Sequence, residues 1–590
     1  MADSTAYSTQ NLCQRIKRRQ GDYESRRGLY DAQRDVICEL LRPDLVKGQA
    51  GSKAEGAFEG SAIVESTGPH ALHIWQRGFG ANMLSRRPGQ EWFREIAREP
   101  PRSTGVMFKG NDEVGQWQQD VADVLNADMR RSNVYDRMGM FLLDGGSVGS
   151  PVMMFQQDIA RDRIVCQVPD YASVWLDKDV FGYDNCLHVM HEWNALQAVE
   201  FFGLDALPAS VQQQLRNGNH YVPTKYLQVI YGAGDPIYRD LPNGEGVHHA
   251  HPWLEHFIPY DVTDERNARL LRPLYQGPGY FTRPFASWHY HRNDHEVYSR
   301  TMAWWAIHDI RGLNAMWEAL FGEAELSVRP ATWAMDTLRG MLDLGPGGDN
   351  WARSAAEYEQ APQYLQRNTQ WNPAVDLVDR ITQSVQRAFH YPFFMAINAI
   401  VAGKSQPETA YGLSRVQAEN GVQLVEQIES YEQQVLGQIH DMFLANARMA
   451  EPAYPWGRLP QPPDILLEYS DGEVDVEFVG PLSMTQINDR VVDRFYRTMG
   501  PAEVVFNANT ETIQKFRWSQ ILEDLAEAQN FRQDRIVPEE EYKQIVEGAR
   551  QRALQQEIAE SAPKVAQAAQ ALQGKTEKGS PLAALTGSKG

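Results

Sequence analysis

From Asn11 to Arg42 the apolar positions Leu12, Ile16, Tyr23, Tyr30, Ile37 and Leu41 recur at helical spacing among many arginines, and Pro43 ends the pattern. The spacing predicts a helix with a basic, solvated face. A Gly-rich loop from Gly48 to Gly60 follows. Ser66-Thr67-Gly68-Pro69 then opens a second helix over Ala71 to Leu84, stopped by Arg87-Pro88-Gly89, and a third helix is predicted from Asp112 to Met140. Between Phe141 and Phe202 the period shortens to that of strands, in Pro151 to Phe155, Ile164 to Val168 and Ser173 to Leu176. Tyr226 to Tyr231 and Trp253 to Ile258 continue the sheet.

Helical periodicity returns near Asp294, with Met302, Trp305, Leu313, Met316 and Leu320 in phase. Glu323 to Trp371 is irregular and punctuated by Pro330, Gly345-Pro346-Gly347-Gly348 and Pro373, and a further helix covers Ala374 to Phe389. Beyond Pro407 a longer helix sets Val425, Ile428, Val435, Ile439 and Met442 on one face and Glu426, Glu429 and Glu432 on another. Prolines from Pro452 to Pro463 form a linker. Glu473 to Val479 then alternates as a half-buried strand, and six acids with no base lie between Asp464 and Glu477. Helices are expected over Asn488 to Gly500, Glu511 to Ala528 and Pro538 to about Leu572, with a small, polar, disordered tail from Gly574 to Gly590. The fold class is α+β, without internal repeats.

Composition narrows the function. The 590 residues are 42% hydrophobic and 23% charged, which is globular. Against 57 basic side chains stand 77 acidic ones, a net charge of −20, the wrong sign for gripping phosphates over a broad surface. Cys13, Cys38, Cys166 and Cys186 form no CxxC pair or dense framework, which suits a reducing compartment. Met1 to Gln10 is polar and shows no secretory signal. The most membrane-like run, Tyr391 to Gly403, is broken by Pro392 and Asn398 and is shorter than the roughly 20 residues a spanning helix needs.

Candidate chemistry is sparse. Gly145-Gly146-Ser147-Val148-Gly149 fits G-x-S-x-G, so a serine hydrolase using Ser147 is the alternative reading. Pro151 and a strand follow where that motif requires a helix, which favours a tight turn in a sheet. Gly403-Lys404-Ser405 resembles the end of a phosphate-binding loop, yet Asn398 stands where the first glycine belongs and Pro407 interrupts the following helix. Histidines crowd at His248 to His256, at His289, His291 and His295, and at His188 and His191, without a metal-binding spacing. Trp304, Trp305 and Trp317 suit packing or subunit contact. No cofactor, metal or catalytic residue is expected.

Four passages stand in a telling order. Glu65-Ser66-Thr67 with Ala71, Gly80, Leu84 and Pro88 precedes Trp92-Phe93. Pro284, Trp288, Glu296, Tyr298 and Arg300 lead into Asp309-Ile310-Arg311-Gly312-Leu313-Asn314. Glu408-Thr409-Ala410 is followed by Leu436-Gly437 and a proline-marked end near Pro460, and then by Val476-Glu477-Phe478-Val479-Gly480-Pro481-Leu482. In this order, across about Asn11 to Leu554, the chain resembles the head-to-tail connector, or portal protein, of short-tailed bacteriophages. It departs from that family at Tyr411-Gly412-Leu413, in place of an acid, Thr and hydrophobic series, and at Ser299, where glycine is more usual.

The resemblance implies a portal-type subunit with a mixed α/β wing (1–290), a first stem helix (291–322), a clip (323–371) and a second stem helix (372–392). A tunnel loop (393–408), a long kinked helix returning to the wing (409–482), a helical crown (483–573) and the tail (574–590) complete it. It further implies a homo-oligomeric ring of about twelve subunits at one capsid vertex of the virion, assembled in the host cytoplasm. The implied partners are the terminase large subunit, the major capsid and scaffolding proteins, a tail adaptor, and double-stranded DNA passing through without tight binding. Asn398, Lys404, Ser405 and Gln406 are then the tunnel-loop candidates, and Glu426, Glu429 and Glu432 the acidic channel candidates. A third alternative is a scaffold or adaptor protein without a channel.

Overall fold

The computed structural model describes residues 2–45, 63–85, 91–98, 111–158, 163–232, 251–261, 279–328, 371–395, 424–449, 456–470, 472–480 and 541–556, with short pieces between them. In chain order the elements are α1 (Ala2–Leu41), α2 (Thr67–Met83), β1 (Phe93–Ala97), α3 (Asp112–Arg131), α4 (Val134–Gly146), β2 (Val152–Asp158), β3 (Arg163–Gln167), β4 (Val174–Lys178) and β5 (Asp184–Asn194). Next come α5 (Ala195–Phe202), α6 (Ala209–Arg216), β6 (Pro223–Gly232), β7 (Trp253–Pro259), β8 (Phe285–Ser287) and α7 (Met302–Val328). The two-residue strands β9 (Thr332–Trp333) and β10 (Gln363–Tyr364) pair with each other, and α8 (Trp371–Ala388) follows. Last are α9 (Val425–Tyr431), a π turn (Glu432–Leu436), α10 (Gly437–Met449), α11 (Asp464–Ser470) and β11 (Val474–Phe478), with residues 541–556 also helical. This is a mixed helix and strand chain, as the α+β expectation has it.

The chain divides into two compact units. One comprises Met1–Arg94, Val121–Pro460 and Val476–Arg517, the other Glu95–Asp120, Gln461–Asp475 and Trp518–Gly590. At the centre of the first is an antiparallel sheet in the order β4-β5-β6-β7. Its period-two alternation makes two apolar faces. Cys186, Leu227, Val229, Tyr231, Leu254 and Ile258 meet Leu12, Cys13 and Ile16 of α1 on one side. On the other, Leu187, Val189 and Ile230 meet Val152, Met154 and Phe285 of a second sheet, ordered β3-β2-β8. Further along that side Tyr226 and Phe257 pack on Ala195, Ala198, Phe202 and Val211 of α5 and α6.

Three local expectations are corrected. The predicted single helix from Asp112 to Met140 is two helices, because the Asn133 side chain leaves the helix and bonds β3 like a backbone, donating to the Cys166 carbonyl (2.9 Å) and accepting its amide (2.7 Å). The helix expected near Asp294 starts at Met302. The basic face of α1 is not wholly solvated: Arg27 and Arg34, and Arg42 just past its end, are buried. Buried Gln20, Tyr23, Arg27, Arg34, Ile37 and Leu41 follow the helical stripe, so some arginines occupy core positions.

Candidate functional site

The acidic candidates lie on the helix formed by α9, the π turn and α10. Leu424, Ile428, Tyr431 and Val435 are buried at steps of four, three and four, and Leu436, His440, Phe443 and Ala447 repeat those steps one residue later. The buried stripe thus slips by one position, and a π turn, which closes i→i+5 bonds, absorbs the extra residue and keeps the buried face continuous. Glu426 and Glu429 are exposed. Glu432 is not their equal. A row spaced by three residues winds back about 60° per step in an α-helix, so its third member reaches the flank of the buried face. There Glu432 accepts a hydrogen bond from the Ser483 hydroxyl, and burial, with the nearby Glu429 charge, raises its pKa.

The acidic strand β11 also differs from a bare anionic surface. It pairs with β1, whose Arg94 forms an ion pair with Glu477. Arg98, just beyond β1, pairs with Glu473 at 2.9 Å. Asn398, Lys404, Ser405 and Gln406 lie outside the described residues.

Ser147 is completely buried at the end of α4, its hydroxyl donating to the Leu143 carbonyl at 2.6 Å. The neighbouring glycines serve close packing rather than an exposed turn. A Cβ on Gly146 would stand 2.6 Å from Trp75, and one on Gly145 2.8 Å from Trp288, two indoles stacked with an interplanar angle of 1°. The sheet turn expected there is instead a helix end leading into β2.

A cluster that no sequence motif revealed sits beside it. Ser150 Oγ lies 3.3 Å from His289 Nδ1, and His289 Nε2 lies 2.8 Å from Asp184 Oδ2. Asp184 also accepts bonds from Ser287 and from Arg292 (2.9 Å). Burial alone would raise the Asp184 pKa, but His289, Arg292 and Ser287 together hold it well below the carboxylate range. The chemical order is that of a nucleophile, base and orienting acid. However, Ser150, His289 and Asp184 are 6%, 6% and 4% exposed, and the Ser150 hydroxyl already receives the Ser299 amide (2.8 Å). Ser299, the departure from the usual glycine, accepts the Ser150 amide on its own hydroxyl oxygen at 3.1 Å. The cluster therefore fastens β2, β5 and the segment before α7. Its members are 34, 105 and 10 positions apart along the chain, too scattered for a spacing rule to find.

The tryptophans divide. Trp304 reaches Tyr30 of α1, whereas Trp305 is 56% exposed on α7. Among the described residues no group of three or more His, Cys, Asp and Glu converges to hold a metal, and no helix is long and apolar enough to cross a membrane. All four cysteines are buried free thiols.

No curated protein matches the chain. A family described as bacteriophage head to tail connecting protein matches residues 13–537, which include both sheets, the stacked tryptophans and the helix of the acidic candidates. With that span matched, the chain belongs to the family of bacteriophage head to tail connecting proteins.

Proposed function

We propose that this connector is the portal of a short-tailed phage, a ring of about twelve copies at one capsid vertex that serves as conduit for DNA packaging and ejection. The observation that carries the reading is the family match over residues 13–537. In this reading 291–322, which takes in most of α7, and 372–392, which takes in most of α8, are the stem helices, residues 323–371 the clip, 393–408 the tunnel loop and 483–573 the crown. The packaging motor, with its terminase large subunit, docks on the ring and supplies the force from ATP. Capsid, scaffolding and tail-adaptor proteins are the other partners. The chain's own role is structural rather than catalytic.

A ring requires a heterologous interface, in which one surface meets a different one on the next copy. The stem pair supports this with a mostly apolar groove of about 250 Å³ lined by Trp317, Leu320, Phe321, Ala324, Val375, Val378 and Asp379. The charge of −20 per copy supports a passage to which DNA does not cling, since phosphate-binding cations would release counter-ions and hold the duplex. Glu426 and Glu429 are the exposed carboxylates of α9 that would face it.

Negative-stain imaging of the purified chain tests the assignment. A closed ring with a central hole is expected, and a compact monomer at every concentration and with capsid components present would refute it. Glu426→Gln with Glu429→Gln is expected to increase DNA retention by assembled rings at low salt and to leave it unchanged at high salt.

A further inference from the structure

β8 is an edge of its sheet, and an edge leaves backbone N–H and C=O groups without ladder partners. Three side chains from one row of the acidic helix satisfy the backbone around it. Gln438 Nε2 donates to the Arg283 carbonyl (2.7 Å), Gln434 Oε1 accepts the His289 amide (2.9 Å), and Ser430 Oγ donates to the His289 carbonyl (3.3 Å). Gln434 Nε2 also donates to Ser430 Oγ at 3.1 Å, joining two members of the row.

Ser430, Gln434 and Gln438 stand at i, i+4 and i+8. In an uninterrupted α-helix such a row winds forward about 40° per step, about 80° over the whole row, and would leave a straight strand edge. The π turn at Glu432–Leu436 lies within this row. Its extra residue takes up that drift, so the three polar side chains run parallel to residues 283–289. The same slip that keeps the apolar face continuous thus aligns the polar row.

We propose that Ser430, Gln434 and Gln438 are positioning residues that read the backbone of 283–289 and, through the π turn, fix the rotation at which Glu426 and Glu429 are presented. The consequence for DNA passage rests on the portal reading; the joint itself does not. His289 makes the joint double, because its backbone is held by the helix while its ring is held by Ser150 and Asp184.

Gln434→Met with Gln438→Met gives the decisive test. Methionine keeps the length of each glutamine side chain and removes the amide groups that bond the backbone at His289 and Arg283, so the helix keeps its buried face but loses two of its three contacts with 283–289. Amide exchange in the full-length chain should then be faster at His289 by about tenfold, the scale of one net hydrogen bond. Maleimide labelling of a Glu429→Cys reporter, read against four buried native thiols, should change severalfold. Gln434→Ala with Gln438→Ala should give the same two changes if the methionine pair does not fold. Gln434→Glu, which keeps an acceptor for the His289 amide, should restore its protection. Unchanged exchange at 283–289 and unchanged labelling in both altered chains would overturn the proposal. Neither readout needs a ring, so an absent ring in the imaging above would remove the portal reading and leave this joint standing.

Discussion

The two long helices flanking the sheets are fastened to them by opposite means. α1 uses buried cations. Arg27 donates to the carbonyls of Tyr171 (3.2 Å), Ala172 (2.7 Å) and Val174 and lies over the Trp175 ring. Arg34 donates to the Val148 carbonyl (3.1 Å) between the rings of Tyr171 and Tyr298, and Arg42 pairs with Asp144 at 2.9 Å. The acidic helix uses neutral side chains, Ser430, Gln434 and Gln438, on one strand edge. A buried guanidinium is tolerated only when its donors are fully met, so the α1 joint holds one geometry or fails outright. A neutral amide lost from an edge can be replaced by water, so the second joint can yield locally. The element bearing the exposed carboxylates is therefore the more adjustable of the two.

The largest effect should come from breaking the charged joint. Arg27→Ala removes a buried cation and leaves three carbonyls and Asp31 without it, so a loss of about 3–5 kcal/mol is expected in urea unfolding. A loss below about 1 kcal/mol, the scale of one neutral bond, would erase the distinction between the joints.

A polar seam inside the sheet belongs to neither joint and sharpens the contrast. His191, Gln228 and Glu255 bond diagonally across β5, β6 and β7, and Tyr280 donates to Glu255 at 2.9 Å. Burial, opposed only by the bonds from Gln228 and Tyr280, pushes the Glu255 carboxyl up to about 7. With the folded value above the unfolded one, stability from this group is complete below pH 4.5, declines as the pH rises toward about 7 and is level beyond. Glu255→Gln should flatten that decline, by up to about 3 kcal/mol at pH 8. An unaltered pH profile would show that Glu255 ionises without strain.

These joints also explain what the sequence made legible. Period alone located α1, the strands β2, β3, β4, β6 and β7 and the helix of Glu426, because apolar burial dominates each; it did not single out β5 or β8. It did not say that Arg27 and Arg34 face inward, since a spacing of seven suits a buried stripe and a solvated one equally until the carbonyls opposite are known. The slip between Val435 and Leu436 was written in the apolar positions, but Ile439 and Met442 fit either phase and concealed it. The Ser150, His289 and Asp184 cluster was illegible because only the folded sheets bring its members together.

The smallest effect concerns Glu432, where the adjustable joint meets the acidic face. Burial, with the Glu429 charge, raises its pKa despite the Ser483 hydroxyl. Its contribution to stability is therefore complete below pH 4.5, the ordinary value, and is lost as the pH rises through the raised one. Asp184 has the opposite sign. Held low, it contributes above pH 3.8 and loses that contribution as the pH falls through its depressed value. Glu432→Gln keeps an acceptor for Ser483 and removes only the charge. Its Tm should match the unaltered chain at pH 4 and exceed it slightly at pH 8. Equal Tm values at both would mean that burial does not hinder the ionisation of Glu432, and that the third carboxylate belongs with the exposed pair after all.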